Sequence, residues 1–326
     1  MNRRAVLRGA WLGGAAAALA RMLAGCATAP RGTVARAPAT SVHVDESFAR
    51  LVLESLERRE PDEHLLGHPA LAAMVRHQHL SGNLDATKEA VLASVLNSAG
   101  RARPTPRVLD AWTRRHSELG DYVTAAAHYL PAGTRFTGTV YLVVGYDIGV
   151  AAPPDLVLNV AHEHFQAAPS ELGFYATHEA HHVGFFAVRP VPGLTGLDDP
   201  VRLRRIVAYM TQLEGMGVHA AFPLRRERGS LGLDSDYRVY TDPAEARRVM
   251  ARYAGLVAML ERPGRLSDDD IGMILGAMSS GERVWYQLGA LACWTLERAQ
   301  GRGALIEAIA NPRAFDSVVT DLLTTA

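Results

Sequence analysis

The stretch Tyr175-Ala176-Thr177-His178-Glu179-Ala180-His181-His182-Val183-Gly184 constrains the rest of the chain more than any other. Residues four apart share one face of a helix, so His178 and His182 can aim two imidazoles at one point. Glu179 follows the first of them directly. Two histidines at this spacing suit a divalent metal, and the glutamate is placed to take a proton from water there. Every residue from Leu172 to Phe186 other than Glu179 and the histidines is uncharged, which predicts a helix buried on most sides. Buried imidazoles and a buried carboxylate are costly unless bonded, and a metal would satisfy them.

A catalytic zinc takes three protein ligands and keeps one position for water. A third histidine six residues on, after a glycine, is ruled out because Phe185 and Val188 hold those places. A carboxylate on a following helix is the next candidate. Val201 to Phe222 reads as that helix, with an apolar stripe of Ile206, Val207, Met210, Leu213, Val218 and Ala221. Glu214 falls inside the stripe, where a solvated glutamate would not be placed. Gly215 and Gly217 flank it and would admit another backbone. These features assign Glu214 as the third ligand; the competing reading is an ion pair with Arg204, Arg205 or Arg225.

With these residues in hand, the chain resembles the gluzincin metallopeptidases, in which H-E-x-x-H is followed by a helical Glu-Gly. More narrowly it resembles the zinc-dependent peptidases of bacteria, many of them lipoproteins. That likeness rests on Leu156 to Glu163, the His178 motif, Leu213-Glu214-Gly215 and Tyr286-x-x-Gly289, within about Tyr141 to Phe315. It implies one zinc per chain held by His178, His182 and Glu214, with Glu179 as general base. It also implies a zincin-like fold: a small sheet with an edge strand beside the active helix, then a glutamate-bearing helix. In the thermolysin-like pattern an Asp four residues after the ligand Glu supports a zinc histidine; Val218 stands there instead.

Residues 1–25 read as a signal peptide, with Arg3, Arg4 and Arg8 ahead of a short apolar run and Leu23-Ala24-Gly25-Cys26 as a lipobox. The run from Asn2 to Leu7 also resembles a twin-arginine signal. The expected product is a lipoprotein anchored at Cys26, on the envelope and facing the periplasm or cell exterior. Residues 26–44, rich in Pro, Ala, Thr and Arg, form a flexible tether. The precursor balances 34 basic against 34 acidic residues. Residues 1–25 carry four arginines and no acid, so the remainder is net −4 and does not read as a nucleic-acid binder. With Cys26 acylated, Cys293 has no disulfide partner and is expected in the core.

Residues 45–326 read as one mainly helical α+β domain. Helices are expected over Asp45–Leu56, Pro69–Leu80, Asp85–Ser98 and, unbroken, Pro106–Leu130. Thr137–Tyr146 and Asp155–Ala161 read as strands. Pro153-Pro154 suits an edge strand; either strand could receive an added peptide substrate, and the second is preferred. His162 and His164 are placed on one face of its continuation, either lining the cleft, the preferred reading, or competing as ligands. Four other histidines (His64, His68, His77, His79) match no metal template. Ser170 is the expected N-cap of the active helix, and Leu224–Asp242 a charged surface segment. Further helices are expected over Pro243–Leu260, Ser267–Met278, Glu282–Gln300 and Arg313–Leu323. An oxyanion donor is needed as well; Tyr286 is the first choice and His219 the second, with a core aromatic as the alternative for Tyr286.

The combined expectation is a membrane-anchored zinc metallopeptidase acting on a peptide or protein substrate. The rivals are a zinc amidase or other hydrolase on envelope substrates, and a non-catalytic envelope lipoprotein. Manganese, cobalt or iron suit the same ligands, and the sequence is silent on oligomeric state.

Overall fold

The computed structural model describes residues 42–102, 106–113 and 115–324. The expected signal peptide, Cys26 and most of the expected tether lie outside them. Contacts group the described residues into two compact units, one running to Val191 and the other starting at Pro192. No helix among the described residues is long and apolar enough to cross a membrane.

The first unit is a four-stranded mixed sheet with helices against it. Its strands are β1 His43–Asp45, β2 Thr139–Val143, β3 Gly149–Ala152 and β4 Asp155–Asn159, in the order β1-β2-β4-β3. β1, β2 and β4 run parallel, with Val140 opposite Leu156; β3 is antiparallel to β4, with Gly149 opposite Leu158. Residues Val140–Val143 and Leu156–Leu158 are all buried. Near-continuous apolar runs suit strands covered on both faces. The helices are α1 Ser47–Arg58, α2 Pro69–Leu80, α3 Lys88–Ala102, α4 Pro106–Thr113, α5 His116–Ala126, α6 Glu163–Ala167 and α7 Glu171–Val188. α1 packs on β2, and α2 and α7 each pack on β3 and β4.

Several expectations are corrected here. β4 is central, not an edge. The two prolines occupy the connection between β3 and β4, so β4 keeps every ladder donor that an internal strand needs. The edge beside α7 is β3, whose glycine and alanines carry little strand propensity. His43 and Val44, expected in the tether, pair in β1. The long fourth helix is broken between α4 and α5, where the Thr113 hydroxyl turns back to the carbonyl of Leu109 at 3.1 Å and to the carboxylate of Glu46. His162 does not continue a strand but starts α6, its Nδ1 accepting from the His164 N–H at 3.3 Å. Ser170 holds the N-cap position of α7 without a side-chain capping bond.

The second unit is helical throughout its described residues: α8 Pro200–Glu227, α9 Pro243–Met259, α10 Asp268–Leu275, α11 Val284–Gln300, α12 Arg302–Ala310 and α13 Arg313–Thr324. Asp199 caps α8 through Val201 N–H at 3.0 Å, with Pro200 at the first position, where it needs no N–H. Ser267 and Asp270 form a reciprocal capping box on α10. α8 does not stop at Pro223. The proline removes one helical bond, and the Tyr237 hydroxyl donates to the adjacent carbonyl of Val218 at 3.0 Å. The segment expected on the surface is also partly core: Asp236, Tyr237, Val239 and Tyr240 are buried. Cys293 is buried in α11, and burial pushes its thiol well above the usual range.

Candidate metal centre

α7 is held by one stripe and presents another. Along the holding stripe, Gly173 lies against the Tyr122 ring and Gly184 against Leu130, with no room for a Cβ at either. Thr177 Oγ1 donates to the Tyr122 carbonyl at 2.8 Å, and His181 Nε2 to that of Tyr129 at 3.3 Å. These residues recur every three or four positions, so they share a face. Towards the opposite face lie Tyr175, His178, Glu179 and His182.

There the two expected histidines come together. The rings of His178 and His182 have centroids 4.4 Å apart at an interplanar angle of 77°. Ligand atoms of His178, Glu179 and His182 all lie within 4.8 Å of one another. Glu179 and His182 are buried and His178 is half-buried. A zinc ion at about 2.0–2.1 Å from each donor would set donors roughly 3.4 Å apart. The group could hold a metal ion, and two imidazoles at this spacing suit zinc.

The strand that the sequence reading passed over touches this stripe. A Cβ on Gly149, at the start of β3, would stand 3.5 Å from Tyr175 Cδ1 and 3.6 Å from Glu179 Cγ. His164 packs its ring 5.6 Å from that of Tyr175 and sets Nε2 3.3 Å from the buried carboxylate of Glu171. His162 is tied up as the α6 cap, and burial lowers its pKa. The signal for β3 was its position: four residues joined to β4 by only two.

The remaining expected residues lie in the second unit. Glu214 is buried in α8, next to Gly215, where α8 meets α11. Tyr286 is buried one turn before Gly289 on α11, and the Arg283 guanidinium carbon lies 4.5 Å from its ring centroid. His219 has both nitrogens engaged, Nε2 with Glu297 at 2.6 Å and Nδ1 with the Tyr240 hydroxyl at 3.1 Å. His64, His68, His77 and His79 do not converge. His68 caps α2 through Ala70 N–H at 3.1 Å, His77 meets Tyr146 at 2.9 Å, and His79 bonds the Ala86 carbonyl at 3.0 Å.

The family described as "Putative zinc dependent peptidase (DUF5700)" matches residues 107–316, well over half of the 326-residue chain. That match runs through the histidine helix and through α8 and α11. No curated protein matches the chain. No solved structure matches it either.

Proposed function

The chain belongs to that zinc-dependent peptidase family, and we propose that it is a gluzincin-type metallopeptidase, lipid-anchored at Cys26 on the cell envelope. The observation that carries the reading is the convergence of His178, Glu179 and His182 on one buried stripe of α7. His178 and His182 would hold the ion, and Glu214, a carboxylate buried in α8, is the proposed third ligand. A bound zinc would lower the pKa of water to about 7 and polarise the scissile carbonyl.

Glu179 takes the proton as the water oxygen bonds to the carbonyl carbon. It then delivers that proton to the amide nitrogen as the C–N bond breaks, leaving a carboxylic acid and an amine. Tyr286 is the proposed donor to the developing oxyanion, since the His219 ring is committed to Glu297 and Tyr240. β3, which ends the sheet order next to Glu179, is the proposed strand to which an extended peptide adds.

The test is metal content. Purified wild-type protein, dialysed against zinc and washed, is expected to keep about one zinc per chain. Glu214→Ala and His182→Ala are expected to lose most of it. A folded wild type that keeps none removes the peptidase reading.

A further inference from the structure

Three helices of the second unit, α8, α9 and α13, leave a trough between them. Its lining recurs at three- and four-residue spacing, with Arg204, Val207 and Thr211 on α8, Tyr253 on α9, and Phe315 and Val319 on α13. Each helix therefore turns one stripe toward the same space. The trough measures about 220 Å³. An apolar cavity of about 150 Å³ holds benzene, so this one takes a branched or aromatic group with a few atoms to spare.

The walls are apolar, with Val207 and Phe315 buried in them. At the floor, the buried hydroxyls of Thr211 and Tyr253 meet at 3.3 Å, and Thr211 Oγ1 also bonds the Val207 carbonyl at 2.8 Å. These two bonds use both hydroxyl protons, so an apolar group can cover the floor without stranding a donor.

The rim carries charge of both signs, for Arg204 and Asp316 line the trough and are exposed. Both charges act on the hydroxyl at the floor. Burial pushes Tyr253 up to about 12, the bond with Thr211 lowers it, and then Asp316 raises it and Arg204 lowers it. Arg204 also gives Nη2 to Glu261 at 2.9 Å. That pair is exposed and weak, and the guanidinium has further N–H donors for a second partner. A matching ligand presents an anion to Arg204, a cation to Asp316 and an apolar group between them.

We propose that the trough is a binding site for a free amino acid with an apolar side chain, such as leucine or phenylalanine. The α-carboxylate lies against Arg204, the α-ammonium against Asp316, and the side chain against Val207 and Phe315. A fatty acid lacks the cation and a simple amine lacks the anion, so each leaves one rim charge unmatched. The site does not depend on the peptidase reading.

The experiment titrates the full chain calorimetrically with L-leucine, with isocaproate, which lacks the amine, and with isopentylamine, which lacks the carboxylate. Leucine is expected to bind, and each truncated ligand to bind roughly fivefold more weakly. In Arg204→Gln leucine should lose its advantage over isopentylamine, and in Asp316→Asn its advantage over isocaproate. Ala208, also in the lining, offers a filling variant: Ala208→Leu is expected to abolish binding. Should that variant fail to fold, the two exposed rim substitutions decide. No binding of leucine to wild type, equal binding of all three ligands, or unchanged binding in both rim variants overturns the proposal. So does leucine binding that His182→Ala abolishes, which would place the amino acid on the metal instead.

Discussion

Gly215 and Gly289 touch backbone to backbone: a Cβ built on Gly289 would stand 2.7 Å from the Gly215 Cα and would run into the Thr211 carbonyl. Helices α8 and α11 therefore cross without intervening side chains, and Glu214 sits beside the crossing. Gly289→Ala is expected to destabilise the chain by about 1–3 kcal/mol, since backbone cannot move aside as a rotamer can. Gly255→Ala is the control. Gly255 is exposed in α9 with nothing near its notional Cβ, so alanine there should stabilise by up to about 1 kcal/mol. Urea unfolding of both variants checks the contrast, and similar shifts would contradict it.

Glu179→Gln keeps shape and loses the base. It is expected to lower kcat about 10²–10⁴-fold with zinc content unchanged, whereas His182→Ala loses both. The measurement is turnover alongside metal analysis on the same preparations. Full activity in Glu179→Gln would remove Glu179 from the mechanism.

His77 is buried, and burial holds its pKa down to about 4. Its unfolded value is near 6.5, so the unfolded chain takes up a proton first as pH falls. The associated stability is complete above pH 6.5, declines below it, and is gone near pH 4. Its size is about 3 kcal/mol at 1.36 kcal/mol per unit. Chemical denaturation from pH 7 to 4 should therefore slope less steeply in His77→Gln than in wild type. Parallel slopes would mean that the ring is already protonated in the folded chain.

Asp236 is buried and accepts from Arg283 Nε at 2.7 Å and from Gln287 Nε2 at 3.0 Å, tying the segment before α9 to the start of α11. Removing one partner strands the other charge, so Asp236→Asn is expected to cost about 3 kcal/mol. The double variant with Arg283→Gln should be less destabilised than the sum of the single ones, which a double-mutant cycle reads directly. Strict additivity would show that the pair is not coupled.

The sequence made legible what is local. The spacing of His178, Glu179 and His182 is a property of one helix, and the starts at Pro69, Pro243 and Ser267 are set by capping chemistry within a few residues. What depended on distant partners was not legible. β3 is defined by β4 and not by its own glycine and alanines. β4 is central because its prolines fall just before the ladder. His162 looked like a strand residue and caps α6, and the role of Gly215 shows only beside Gly289.

The passage of α8 through Pro223 has a consequence for the order in which the chain takes shape. The last turn, Leu224–Glu227, carries Arg225, whose guanidinium lies 4.4 Å from the Tyr237 ring centroid and reaches Asp234 at 3.4 Å. The hydroxyl of that same tyrosine donates to the Val218 carbonyl, five residues before the proline. A nascent chain released before residue 237 would therefore hold α8 only as far as the proline. The final turn and the segment that follows it would then wind up together, in one late step.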